Sequence, residues 1–307
     1  SYSGNLAAWF RLKYPRLVVG AIASSAPVQA KLDFDAYLKV VDNDLGERCL
    51  EEIRSAMTEF TSLLGSSSGR REITRKLKLR PSLESASKLD ISSLVHIFSS
   101  PFAYATQGND NHNRRVIALC RRMFDNGNNT TALERLGKIV GNGQYLSYQY
   151  HLYIDSIKFT KWSWIRLWAY QTCTEFGYFQ TSDYPKEAFA DYLTLDFHVQ
   201  QCIDIFGPQF NRRKIEEAVN RVNKNNGGAN VSSTTMSNVV FPNGLVDPWH
   251  ELGVLKPQSN KPTIIPIVIP GTSHCADMKA STSDDPPALK KARVQITNAI
   301  GQFLNSY

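Results

Sequence analysis

Apolar positions along this chain follow two regimes. Near both ends they form short continuous runs: Leu17-Val18-Val19-Gly20-Ala21-Ile22-Ala23-Ser24, Asn238-Val239-Val240-Phe241 and Thr263-Ile264-Ile265-Pro266-Ile267-Val268-Ile269. Runs of that length, closed by Ser25-Ala26-Pro27, Pro242-Asn243-Gly244 and Pro270-Gly271, predict buried parallel strands. From Gly4 to about Tyr14 the sequence reads as a helix apolar on nearly every face and stopped by Pro15, which suits a place under a sheet. A closing helix from Pro287 to Tyr307 carries Leu289, Ala292, Ile296, Ile300 and Phe303 on one stripe. Between about Leu32 and Met236 the pattern becomes more polar and helical, at Leu45 to Leu64, Arg115 to Phe124 and Ala132 to Ile139. Turn-forming residues from Asn223 to Thr235 predict a mobile surface loop. The expected architecture is α/β: part of a sheet built from residues 1–31 and 237–307, with a mostly helical cap inserted at 32–236.

Composition narrows the classes. Apolar content of 42% and charged content of 21% suit an ordinary globular protein, and no run approaches the roughly 18 apolar residues of a membrane span. The net charge of +7 draws on Arg70, Arg71, Arg75, Lys76, Lys78 and Arg80, opposed locally only by Glu72. That cluster lacks a recognition motif and interleaved aromatics, so it reads as a solvated face rather than a nucleic-acid site. Five cysteines at 49, 120, 173, 202 and 275 are too far apart for a zinc ribbon. Sequons at Asn128, Asn129 and Asn230, taken with spaced cysteines, favour an oxidising compartment of the secretory pathway.

Candidate chemistry lies beside the predicted strand ends. Ser1-Tyr2-Ser3-Gly4 runs directly into the first helix, as does the second half of a nucleophile elbow. Asp247 follows the strand at 238–241, and His274 follows the strand at 263–269. Acyl transfer needs a nucleophile, a base of near-neutral pKa and a carboxylate that fixes the imidazole tautomer. Ser, Asp, His is also the chain order of the α/β hydrolases. Each residue alone has a plainer reading, as a helix-start serine, a turn aspartate or one of six histidines. As an ordered set on strand ends they point to hydrolysis.

The segment Ser1-Tyr2-Ser3-Gly4-Asn5-Leu6-Ala7-Ala8-Trp9 through Ser24-Ser25-Ala26-Pro27 resembles the family of lysosomal Pro-Xaa carboxypeptidase, dipeptidyl peptidase II and thymus-specific serine protease. So do Tyr170-Gln171-Thr172-Cys173-Thr174-Glu175-Phe176-Gly177, Asn243-Gly244-x-x-Asp247-Pro248-Trp249-His250 and Ser273-His274-Cys275-Ala276-Asp277-Met278, which lean toward the thymus-specific branch. The resemblance spans essentially the whole chain. It implies an α/β-hydrolase fold with Ser1 as nucleophile, Asp247 as orienting acid, His274 as base and the Tyr2 N–H as one oxyanion donor. It also implies Cys49–Cys120 and Cys173–Cys202 pairing, with Cys275 left as a thiol. By the same resemblance Trp249 and Tyr178 are pocket walls or ordinary core. Glu175 either holds a substrate amino group or, the reading we favour, plays a structural role. Ser3 stands where many members have Gly. Asn5 stands where the post-proline enzymes have a pocket Met, which runs against a strict proline preference.

These readings converge on a serine-type exopeptidase acting on short peptides near proline through an acyl-enzyme. No cofactor or metal and no nucleic-acid partner are expected, and a homodimer is left open. The elbow reading also implies that its preceding strand and glycines lie outside these 307 residues. The chain would then be the C-terminal two-thirds of the enzyme, and alone it is expected neither to fold stably nor to react with a fluorophosphonate. An esterase with the same triad, or a non-catalytic fragment or binding protein, are the alternatives.

Overall fold

The computed structural model describes residues 1–109, 114–125, 127–185 and 187–305. They fold into two compact units, one of residues 1–32, 106–114 and 216–307, the other of residues 33–105 and 115–215.

The first unit is α/β. Its sheet is parallel, with β4 (Val239–Gly244) between β1 (Ala21–Ile22) and β5 (Ile264–Ile269). Ala21 pairs with Val239, and β4 and β5 run in register from Val239↔Ile264 to Gly244↔Ile269. All six residues of β4 are buried, as expected of a central strand covered on both faces. Alternation divides them between two cores. Val239 and Phe241 pack with Ala8, Trp9 and Leu12 of α1 (Tyr2–Lys13), while Val240 packs with Leu289, Ala292, Ile296 and Phe303 of α12 (Pro287–Asn305). The Arg11 guanidinium ties the end of α1 to the chain entering β4, donating to the carbonyls of Pro15, Val18 and Ser237.

The expected first strand is reduced to Ala21–Ile22. Leu17 faces solvent, Gly20 lies directly beneath Phe303, and beyond Ile22 the Ala23 and Ser25 N–H groups still donate to the Val240 and Pro242 carbonyls at 2.8 Å. The stretch expected as a mobile loop holds the end of α11 (Arg212–Asn226) and a turn in which Val231 is fully buried. There the Asn223 amide exchanges two hydrogen bonds with the Ala30 backbone, at 2.9 and 2.7 Å.

The second unit is mainly helical. Its α2 (Asp35–Leu45) and α3 (Glu47–Leu64) are separate because Gly46 adopts φ +74°, a turn the sequence pattern does not reveal. Cys49, Leu50, Ile53, Ala56, Met57 and Phe60 form the buried stripe of α3. Thr131 and Glu134 form a reciprocal capping box at the start of α7 (Ala132–Gly141). Disulfides join Cys49 to Cys120 and Cys173 to Cys202, pinning α3 to α6 (Arg114–Phe124) and the 172–176 turn to α10 (Leu195–Phe206). The cations at 70–80 are engaged locally: Arg71 with Glu84 at 2.6 Å, Lys76 with Glu59 and Glu72, and Arg80 over the Tyr145 ring. No described helix is long and apolar enough to cross a membrane.

Candidate active site

Parallel strands β4 and β5 release their chains at the same edge of the sheet, and each following loop carries one candidate. Gly244 makes that approach feasible. A Cβ there would lie 2.3 Å from the Thr272 carbonyl oxygen and 2.8 Å from that of Ser273, so any larger residue would push the two loops apart. Asp247 then caps the short Pro248–Leu252 turn, its Oδ1 accepting from the Trp249 N–H at 3.2 Å.

His274 Nδ1 lies 2.8 Å from Asp247 Oδ2. Asp247 is wholly buried, whereas the His274 side chain keeps 20% exposure. An ionised carboxylate only accepts, which assigns the proton to Nδ1 and leaves Nε2 as the basic nitrogen of the neutral ring. Burial pulls the His274 pKa down, but the hydrogen bonds to Asp247 and Cys275 and the Asp247 charge outweigh it, pushing it up to about 9. Burial raises the Cys275 thiol, and the His274 hydrogen bond, the Ser1 ammonium, the His274 charge and a Ser24 contact together more than reverse this, leaving it below the ordinary thiol range. His250 Nδ1, 2.7 Å from the Asp247 carbonyl oxygen, steadies the acid loop from its other side.

Ser1 occupies the N-cap of α1 without spending its side chain on a capping bond. Its nitrogen lies 2.6 Å from the Ser24 carbonyl oxygen, against that of Ser25 as well, and 3.7 Å from Cys275 Sγ. The turn after β1 meets the histidine loop, where the Cys275 N–H donates to Ser25 Oγ at 2.9 Å. Gly4 permits this contact, since a Cβ there would meet the Ser24 carbonyl oxygen at 2.5 Å. Gly4 and Asn5 N–H groups bond back to the Ser1 carbonyl, and the Tyr2 N–H belongs to the electropositive first turn.

The remaining predicted residues fall in different settings. Asn5 is fully buried and donates its amide to the Pro27 carbonyl at 3.1 Å. Trp249 is buried, with its indole N–H donated to Gln107 Oε1 at 2.9 Å. Tyr178 and Glu175 belong to the helical unit. Tyr178 is buried at φ +60° and stacked between Phe176 and Trp168, and Glu175 is half-buried in the adjoining π-helical turn. Asn129 and Asn230 are exposed, and the Ser232 hydroxyl donates to Asn230 Oδ1, while the side chain of Asn128 lies outside the described residues. Among the described residues no three His, Cys, Asp or Glu side chains gather as a metal would require.

Sequence reasoning passed over the supports of the histidine loop. Ser24 Oγ donates to Asp277 Oδ1 at 2.6 Å, and Arg293 of α12 donates to the carbonyls of Asp277 and Ala276 at 2.7 and 3.3 Å while pairing with Asp285. Nothing local in the sequence marks Arg293, because its partners lie on a separate loop.

A buried aspartate and a partly exposed histidine at the end of successive parallel strands, beside a helix headed by serine, are the layout of the α/β serine hydrolases. The model of the serine carboxypeptidase S28 family matches residues 1–296, and the chain belongs to that family of serine-type peptidases. It is 31% identical over 331 residues to the thymus-specific serine protease of Mus musculus, covering 99% of this chain and 62% of the relative. A putative serine protease of Caenorhabditis elegans is 31% identical over 338 residues, covering 100% of this chain and 63% of the relative. The lysosomal Pro-X carboxypeptidase of Bos taurus is 27% identical over 326 residues, covering 100% and 62%. The chain thus spans less than two thirds of the length of these relatives.

Proposed function

We propose that the chain carries the catalytic residues of a serine exopeptidase, with Ser1, Asp247 and His274 as its triad. The observation that carries this reading is the 2.8 Å contact between His274 Nδ1 and Asp247 Oδ2, in a loop whose next residue, Cys275, adjoins Ser1. In the proposed reaction His274 Nε2 takes the Ser1 hydroxyl proton as Oγ bonds to the scissile carbonyl carbon. The developing oxyanion is stabilised by the Tyr2 N–H at the helix N-terminus. The same proton then passes to the leaving nitrogen as the C–N bond breaks. Water, deprotonated by His274, hydrolyses the resulting ester and frees Ser1. Asp247 holds the ring and stabilises its cationic form throughout.

Peptides are the substrate class that family membership favours, and likeness to the bovine Pro-X carboxypeptidase favours cleavage next to proline. In this reading cleavage is confined to the ends of short peptides, Trp249 contacts substrate, and Glu175 keeps the structural role favoured for it. Asn5 contributes through the Pro27 backbone rather than as a wall, since its amide is buried and committed. The two disulfides, the exposed sequons and the lysosomal relative favour a secretory route ending in a lysosome or outside the cell.

A substrate panel tests this. Prolyl dipeptides and blocked prolyl peptides should be hydrolysed by the protein with its natural flanking sequence. Turnover of simple aryl esters with every peptide untouched would indicate the esterase instead.

A further inference from the structure

A residue far from both catalytic loops in sequence touches each of them. Gln107 closes α5 (Lys88–Gln107) and lies in the segment from Thr106 onward that belongs to the α/β unit. Its side-chain Oε1 accepts the Trp249 indole N–H at 2.9 Å, and its backbone carbonyl accepts the His274 N–H at 3.2 Å. The Trp249 N–H donates to Asp247 Oδ1 at 3.2 Å, and Asp247 Oδ2 meets His274 Nδ1 at 2.8 Å. These four hydrogen bonds form a closed ring: Gln107 to Trp249, Trp249 to Asp247, Asp247 to His274, and His274 back to Gln107. Two residues on, the Asn109 carbonyl accepts the Ser273 hydroxyl.

We infer that Gln107 is a positioning residue that sets the alignment of the Asp247–His274 pair from both ends. The inference rests on the proposal that this pair is the working acid and base.

The reasoning is geometric. A carboxylate turns readily about its bond to Cβ, and one hydrogen bond to the imidazole does not fix its plane. Asp247 is fixed because Oδ1 is held by the Trp249 backbone while Oδ2 meets the ring. The Trp249 backbone can hold that position only if its side chain is anchored, and the indole, 8% exposed, is anchored at Gln107. The imidazole has a matching anchor, since the His274 backbone hangs from the carbonyl of the same residue. One helix end therefore references acid and base to a common origin. Misplacement by about 1 Å is enough to cost on the order of 100-fold in rate.

The test compares Gln107→Met, which keeps the shape and removes the acceptor, with Gln107→Glu, which keeps an acceptor oxygen. Both are made in the protein with its natural flanking sequence. A fluorophosphonate gives the inactivation rate at saturation and the concentration for half-saturation, and histidine NMR gives the His274 pKa without recourse to activity. Gln107→Met should slow saturated inactivation 10- to 100-fold with half-saturation within twofold, and His274 should titrate lower as its Asp247 partner loosens. Gln107→Glu should restore most of the rate.

If Gln107→Met lowers only the melting temperature, leaving rate and His274 titration unchanged, the inference is overturned. Asp247→Asn and His274→Ala separate this from failure of the triad reading. If they too react normally, it is the triad that fails. Should Gln107→Met not fold, hydrogen exchange in the wild type decides. The Trp249 indole proton should be protected and its exchange should respond to His274 titration; exchange as fast as in free tryptophan overturns the inference.

Discussion

His274 Nδ1 and Asp247 Oδ2 stand 2.8 Å apart, on loops that leave two neighbouring parallel strands at the same edge. The carboxylate is fully buried and favours the protonated ring, so the His274 pKa rises despite its own burial. Asp247→Asn removes that charge. The His274 pKa should then fall from above the ordinary 6.5 toward or below it, and the acid limb of kcat/KM should move to lower pH with it. The maximal rate should drop by about 10⁴-fold, as expected when the tautomer and the cationic ring lose their partner. Histidine NMR across a pH series, with a parallel rate profile, checks both.

Arg293 clamps the histidine loop through two carbonyls and Asp285. Its planar fork serves both sides at once, which a lysine ammonium cannot reproduce. Arg293→Lys should therefore reduce kcat by roughly 10- to 100-fold through displacement of His274. Steady-state kinetics of the variant, with circular dichroism to verify folding, measure this.

The helical unit is cross-linked over 71 and 29 residues by its two disulfides. On loop-closure entropy alone, each should contribute on the order of 4 kcal/mol, and the longer loop slightly more. Cys49→Ser with Cys120→Ser should lower the denaturation midpoint of this unit at least as much as Cys173→Ser with Cys202→Ser. Denaturant titrations of the two double variants decide the order.

Asp42 lies 6% exposed in the helical unit, its Oδ2 accepting from the Tyr184 hydroxyl at 2.8 Å and the Ala188 N–H at 3.1 Å. Burial outweighs these bonds and pushes its pKa up to about 6 from 3.8. A pKa raised on folding contributes stability that is full below 3.8 and lost as pH rises through 6. Asp42→Asn does not titrate, so relative to wild type it should gain about 2 kcal/mol between pH 4.5 and 7.5. Paired denaturation curves at those two pH values give the difference, and equal stability changes at both would contradict it.

The sequence made β4 legible because it is buried on both faces, which writes Val239-Val240-Phe241 as an unbroken apolar run; β5 reads the same way although only Ile264, Ile267 and Ile269 are buried and Val268 is exposed. The sequence overextended β1 and made it too buried, since exposed Leu17 and half-buried Val18, Val19, Ala21 and Ile22 read in sequence like core residues. The helix expected from Leu45 to Leu64 starts two residues early against α3, and the pattern does not single out α2, before Gly46. Along the α12 stripe Leu289, Ala292, Ile296 and Phe303 are buried, but Ala299 rather than Ile300 completes the alternating 3–4 spacing, and Ile300, one position off that seam, is 38% exposed. Asp247 and His274 announced themselves by following strands. Gln107, Ser25 and Arg293 did not, because their hydrogen-bond partners are distant in sequence and only folding brings them near.

The central claim is that Ser1 is the nucleophile served by His274 and Asp247. Its most direct test is to treat the protein, carrying its natural flanking sequence, with a fluorophosphonate and locate the adduct by peptide mass spectrometry. The account predicts one phosphonylated site, Ser1 Oγ, lost in His274→Ala and strongly slowed in Asp247→Asn. An adduct on another residue, or Ser1 labelling that persists undiminished in both variants, would contradict it.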